Sequence, residues 1–312
     1  MPNIKSVCRR FKNSPSFLEQ VVALNPSARH LRRWALYAIE NHNSPLFNWV
    51  YPQLTELEVR DVCLTRAAAQ GQQEMISTIL RDHPKGASFC RAMFLAARNG
   101  RAETVEMLWS HYQNHVHMFN SSEWAVARGI MQGACVGDQL ELLQQWLLKR
   151  SKDPDYTDHL IPVCSSSGSE RCLAFLLRNN ASLETWRMAA RMAVKGYHVN
   201  TMAVVWNTFG TIDPVVMKEE LPNHLCEQLH TLIEENALLS NNPSVIKMVR
   251  VIAQRLPLSV FMESHGDELK VQQIYPVLEQ IWSEEQNALL RATIDGENIS
   301  PQSFVSRISR RM

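Results

Sequence analysis

His111, His115 and His117 stand at the sharpest metal-like spacing in the chain, and an i,i+4 histidine pair on one helix face can ligate zinc. The surrounding HYQNHVHMFNSS is polar and has no H-E-x-x-H glutamate beside it. It reads as a connecting loop, and no metal site is expected. The run SSSGS at Ser165 to Ser169 has the small residues of a phosphate cradle but not the lysine of a P-loop, and its glycine is already used at a helix turn. Cys164 with a distant histidine would make a nucleophile and base, yet no family signature surrounds any cysteine. Trp34, Trp49, Trp109, Trp146 and Trp206 fall mostly where packing explains them. With no glycine-rich nucleotide loop and no paired acids in a definable cleft, the expectation is a protein with no catalytic residue and no cofactor. The alternative is an enzyme activity housed after about residue 256, with the preceding chain as a targeting scaffold.

The elements that must position these residues are helices with a buried core. A hydrophobic content of 45% over 312 residues excludes disorder as the default. Net charge is only +1, so the balance implies no general affinity for nucleic acid or anionic membranes. A local basic lean, Lys5, Arg9, Arg10, Lys12, Arg29, Arg32 and Arg33, reads as a solvated helix face. The 7 cysteines are odd in number, dispersed and without a C-x-x-C pair, which points to reduced thiols in a cytosol. No window approaches the roughly 20 apolar residues of a membrane span, and the N-terminus has no stretch of signal-peptide length.

One short pattern recurs. In LAARNGRAETVEMLW, Ala96 and Ala97 precede Gly100, and Val105, Met107 and Leu108 follow at helical spacing. This predicts a helix with a small-residue face, a glycine where the chain leaves αR, and a second amphipathic helix returning antiparallel. The glycine anchor finds further copies at Gly71 (after Ala67 and Ala68), Gly137 (after Gly133 and Ala134, with the following apolar residues shifted by about one position), Gly168 and Gly196. Asparagine also tolerates αL, which adds copies at Asn41 and Asn241. Helical pairs are therefore expected to meet at all seven positions, with the alanines buried between copies.

The pattern resembles the ankyrin repeat family, whose unit reads roughly L-H-x-A-A-x-x-G-H-x-E-V-V-x-x-L-L. The likeness is strong from Phe94 to Trp109, good from Leu64 to Leu80 and degenerate elsewhere. The T-P-L-H segment is missing, which sets the β-hairpin fingers of the family in doubt. HEAT and TPR arrays also stack helical pairs, but the TPR signature residues are not found. The resemblance implies an all-α, ankyrin-like helical-hairpin solenoid over residues 34–255, with atypical helical caps at residues 1–33 and 256–312. Ser16 to Leu24 suits the first cap. In the second, two helices are expected on either side of Trp282, the first kinked or broken by Pro276. Polar insertions are expected as loops at His111 to Ser122 and Lys149 to His159.

In ankyrin-like arrays the two residues between the small pair and the glycine face the groove. Here these slots hold Ala69 and Gln70, Arg98 and Asn99, Cys135 and Val136, Ser166 and Ser167, and Val194 and Lys195. The resemblance thus implies a protein-protein interaction module, monomeric when unbound, that holds a protein partner through Gln70, Arg98, Asn99, Ser166, Ser167 and Lys195. Neither nucleic acid nor membrane is an expected partner. Degenerate arrays of this kind are similar to effectors that intracellular bacteria deliver into host cells. Glu279, Glu284 and Glu285 ahead of a tail with Arg307, Arg310 and Arg311 resemble a type IV translocation signal. The expected location is cytoplasmic, in the host cytosol for such an effector, with an endogenous scaffold or regulator as the rival reading.

Overall fold

The computed structural model describes residues 26–82, 86–119, 121–150, 155–180, 182–212, 214–234 and 242–294. The proposed cap helix at Ser16 to Leu24, the turn at Asn241 and the arginine-rich tail lie outside them. Every regular element among the described residues is helical, with no strand, so the β-hairpin fingers of the ankyrin unit are absent from them. None of these helices is long and apolar enough to cross a membrane.

Twelve of the helices form pairs: α1 (Ala28–Glu40) with α2 (Ser44–Val50), α3 (Leu57–Gln70) with α4 (Gln73–Leu80), α5 (Gly86–Arg98) with α6 (Ala102–Asn114), α7 (Glu123–Val136) with α8 (Leu140–Arg150), α9 (Asp155–Ser167) with α10 (Glu170–Asn180), and α11 (Leu183–Lys195) with α12 (Val199–Ile212). Four more follow: α13 (Pro214–Glu234), α14 (Pro243–Ala253), α15 (Leu258–His265) and α16 (Leu269–Ile294).

Each pair turns on one residue in the left-handed region: His42, Gly71, Gly100, Asp138, Gly168 and Tyr197, with φ between 53° and 78°. Around His42, Gly71, Gly100, Asp138 and Tyr197 the backbone closes a Schellman motif, which satisfies carbonyls that the helix end would otherwise orphan. Gly71 donates to the Ala68 carbonyl and Gln72 to that of Ala67, at 3.1 and 3.0 Å. Asp138 and Gln139 do the same to Cys135 and Ala134, at 3.0 and 2.8 Å. Successive left-handed residues are 29, 29, 38, 30 and 29 residues apart, so the six pairs follow one period with a single nine-residue expansion.

Measured from the left-handed residue, burial repeats as well. The residues four and three before it are Ala38 and Ile39, Ala67 and Ala68, Ala96 and Ala97, Ala134 and Cys135, Cys164 and Ser165, and Ala193 and Val194, all at most 1% exposed. Those four, five and eight after it are buried in every pair: Leu46, Phe47 and Val50, for example, or Met75, Ile76 and Ile79, or Leu142, Leu143 and Trp146. The apparent one-residue shift of the Gly137 copy disappears in this register.

The described residues fall into two compact units, one up to Cys164 and one from Ser165, with the division inside α9. In the first, α1, α3, α5 and α7 pack in sequence as one row and α2, α4 and α6 as a second. Trp109 of α6 and Trp146 of α8 meet edge to face at 4.9 Å, and Lys149 pairs with Glu106, which carries the second row onto α8. In the second unit α10, α12, α14 and α16 pack successively, as do α11, α13 and α15.

Three expectations for the connections are corrected. His111 to Asn114 belong to α6, which runs five residues longer than α4; only residues 115–122 connect, and they include a short 3₁₀ turn. Asp155 to His159 open helix α9 rather than a loop. Finally, α16 is one helix through both Pro276 and Trp282. Val271, Ile274, Leu278, Ile281 and Trp282 form one buried stripe at helical spacing, and packing along it outweighs the bond that proline removes.

Helix α7 supplies a test of how closely these rows approach. A Cβ at Gly133 would sit 2.3 Å from the Phe94 carbonyl oxygen of α5, whereas one at Gly129 meets nothing within 4 Å. Gly129→Ala is expected to raise stability by roughly 0.5–1 kcal/mol through the helix interior alone. Gly133→Ala is expected to cost about 2 kcal/mol or more by forcing the two backbones apart. Chemical denaturation of the two variants checks both signs.

Candidate functional site

The side chains that end the first helix of each pair lie where the buried face gives way to solvent. The residues two and one before the left-handed residue are Glu40 and Asn41, Ala69 and Gln70, Arg98 and Asn99, Val136 and Gly137, Ser166 and Ser167, and Lys195 and Gly196; all are half-buried or exposed. Gln70, Arg98 and Asn99 occupy this edge in the first unit, and Ser166, Ser167 and Lys195 occupy it in the second. Cys135 and Val194 do not. They are buried with Ala68 and Ala97, because in these two copies the glycine is not the left-handed residue.

Gly137 and Gly196 have φ of −92° and −82°, so they are needed for space rather than for conformation. A Cβ at Gly137 would fall 1.8 Å from the Arg98 carbonyl oxygen, and one at Gly196 would fall 2.5 Å from the His198 ring. The left-handed conformation then passes to Asp138 and Tyr197.

Sequence reasoning missed the residue that follows each left-handed position. At Gln72, Arg101, Gln139 and His198 the side chain reaches back to the preceding turn. The Gln72 amide donates to the Ile39 carbonyl at 2.6 Å and to Gln70 Oε1 at 3.0 Å. Arg101 covers Gly71, and Gln139 covers Gly100. His198 covers Gly168 and places Nε2 3.0 Å from the Ser166 carbonyl oxygen. The Asn99 amide is turned inward onto the Leu95 carbonyl at 2.7 Å, where it caps its own helix. Of the six edge residues, Arg98 and Lys195 therefore project charge outward.

The acids near the C-terminal end do structural work. Arg250 of α14 pairs with Glu284 at 2.7 Å and Glu285 at 3.1 Å, and the Gln254 amide donates to Glu285 at 3.0 Å. Glu285 is buried and Glu284 is not. Glu279 accepts from the Tyr275 hydroxyl at 3.4 Å. These contacts fasten α16 to α14, which is reason enough for the acidic cluster at Glu284 and Glu285.

Among the histidines of the α6 connection, the His111 and His115 rings stack at 4.4 Å, and His115 Nδ1 lies against the His111 carbonyl at 3.0 Å; His117 is exposed on the 3₁₀ turn. A different cluster forms in the second unit. His230 of α13, His265 at the end of α15 and Glu268 in the turn before α16 bring their side chains together. His230 Nε2 is 2.7 Å from Glu268 Oε2, and His265 Nδ1 is 3.0 Å from Glu268 Oε1. An ionised carboxylate only accepts, so each ring donates an N–H to it. These two hydrogen bonds, first from His265 and then from His230, hold the Glu268 carboxyl below its usual range. Only the His265 and Glu268 spacing is local in sequence, and that pair alone resembles an ordinary helix-end contact.

The described cysteines are free thiols, all buried except the half-buried Cys90. Burial pushes the Cys63 thiol up to about 12. Such a group is a packing element rather than a nucleophile at neutral pH.

The Arg250 network yields a graded expectation. Arg250→Ala leaves the buried Glu285 carboxylate with only the Gln254 amide of these partners and is expected to cost about 2–3 kcal/mol. Glu284→Ala removes only an exposed pair and should cost under about 1 kcal/mol. Thermal melts of both variants against wild type would read the difference.

No family model, curated protein or solved structure matches this chain.

Proposed function

We propose that the chain is a helical-hairpin solenoid of ankyrin-like type that holds a protein partner along the edge formed by the ends of its first helices. The observation that carries this reading is the contrast within the shared register. Positions four and three before the turn are uniformly buried, and mostly small, in all six pairs, while positions two and one before it stay at the surface and differ in chemistry from pair to pair. Conserved packing beneath a varied edge is how stacked repeats present a tailored binding surface.

Arg98 gives the edge of the first unit an outward positive charge and Lys195 does so in the second, so acidic groups of a partner are the fitting counterpart of each. A stable complex needs roughly 1,200 Å² or more of total buried surface, which several adjacent pairs can supply. Delivery into a host cell as a bacterial effector, with action in the host cytosol, is one source context for such a module, and an endogenous scaffold or regulator is its rival.

The expected outcome is that affinity capture from bacterial and eukaryotic lysates, read by mass spectrometry, yields a partner retained by wild type and lost by Arg98→Glu plus Lys195→Glu. The double variant should melt within about 1 °C of wild type, since exposed substitutions away from buried groups change stability little. A partner indifferent to the double reversal would move the binding surface away from this edge.

A further inference from the structure

We infer that His230, His265 and Glu268 form a binding site for one divalent first-row transition ion, with zinc as the fitting member. Two stretches far apart in sequence, α13 and the turn between α15 and α16, converge there, and their donor atoms lie within 4.8 Å of one another. The set is two imidazole nitrogens and one carboxylate oxygen. Borderline-soft nitrogen with hard oxygen suits zinc and its neighbours rather than calcium or magnesium, which take oxygen alone.

The arrangement without metal already resembles the bound one. The two imidazoles stack at 4.7 Å with only 24° between their planes, and both direct a nitrogen at the same carboxylate. Two N–H protons now fill the space between the donors. A tetrahedral ion with bonds of roughly 2.0–2.2 Å sets its donors about 3.3 Å apart. The carboxylate already spans the two rings, one oxygen to each, so admitting the ion means displacing the two N–H protons and drawing both ring nitrogens and one carboxylate oxygen to that spacing. Each neutral ring can move its proton to the other nitrogen, which frees the lone pair at the ligand atom without net proton loss.

The surroundings stiffen two of the three ligands. His265 packs against the Phe261 ring at 5.1 Å, and His230 lies between the buried Leu229 and Leu232 on α13. Glu227 and Glu234, the acids within about a turn of His230 on α13, lie against His224 at 3.4 Å and Lys270 at 2.9 Å, which leaves Glu268 as the carboxylate of the set. All three side chains are 23–41% exposed, so the fourth position faces solvent. A site with three protein ligands and an open position binds water or an outside donor, unlike a closed structural site. Two of its ligands, His265 and Glu268, belong to the segment beyond residue 256. This inference does not rest on the partner-binding reading.

The test uses the full chain, stripped with a chelator and titrated calorimetrically with zinc(II). One ion per chain with a dissociation constant of about a micromolar or tighter is expected, a range within reach of a three-ligand site. His230→Ala and Glu268→Gln should each weaken binding by about tenfold or more. Glu268→Gln keeps the shape of the carboxylate, and its melt without metal should stay close to wild type. Loading with cobalt(II) gives a readout independent of stability: tetrahedral d–d absorption in wild type, absent from His230→Ala. His115→Ala should bind as wild type does. The inference is overturned if zinc does not bind in this range, if Glu268→Gln binds undiminished, or if His115→Ala abolishes the binding.

Discussion

The six helix pairs depend on one backbone event, the single left-handed residue that ends the first helix of each. It reverses the chain within a few residues and lets the Schellman hydrogen bonds satisfy the helix end. It also fixes the phase of both helices. Once the turn is placed, the small pair before it must face the neighbouring row, and the residues four, five and eight after it must face inward. The small residues then allow the close approach seen where Gly133 and Gly137 of α7 meet the carbonyls of Phe94 and Arg98. Within each unit the side chain after a turn reaches the turn before it, as Gln72 does on the Ile39 carbonyl and His198 on that of Ser166.

Much of this was legible because alanine pairs and amphipathic stripes leave a periodic trace, and Gly71, Gly100 and Gly168 do sit at the left-handed positions. The trace misled where glycine serves two purposes. Glycine is required either by a positive φ or by the absence of room for a Cβ, and sequence alone does not separate the two. At Gly137 and Gly196 the second purpose holds, so the turn lies one residue later, on Asp138 and Tyr197. That slip wrongly set Cys135 and Val194 on the edge. It left the six named edge residues unaffected, since Gln70, Arg98, Asn99, Ser166, Ser167 and Lys195 hold edge positions in either register. Helix α16 was misjudged for a related reason, because a local breaker at Pro276 was weighed without the buried stripe that runs past it.

The polar chemistry was the least legible part. Glu284 and Glu285 look alike in sequence, yet one is exposed and the other is buried against Arg250 and Gln254. His230 stands far along the chain from His265 and Glu268, and only the packing of α13 against α15 and α16 brings the three together. The histidines that looked most like ligands, His111, His115 and His117, divide between the last turn of a helix, its C-cap and a 3₁₀ segment, and no carboxylate closes a cluster with them among the described residues. Spacing along the chain reports local geometry, and convergence of distant helices leaves no such record.

The most direct measurement of the common register is the backbone conformation at Asp138 and Tyr197 in solution. Three-bond amide–α couplings and backbone chemical shifts, measured on deuterated and isotope-labelled protein by transverse-relaxation-optimised NMR, distinguish positive from negative φ. The account predicts positive φ at Asp138 and Tyr197 and negative φ at Gly137 and Gly196. Positive φ at the two glycines, with negative values at Asp138 and Tyr197, would break the shared phase of the six pairs and contradict it.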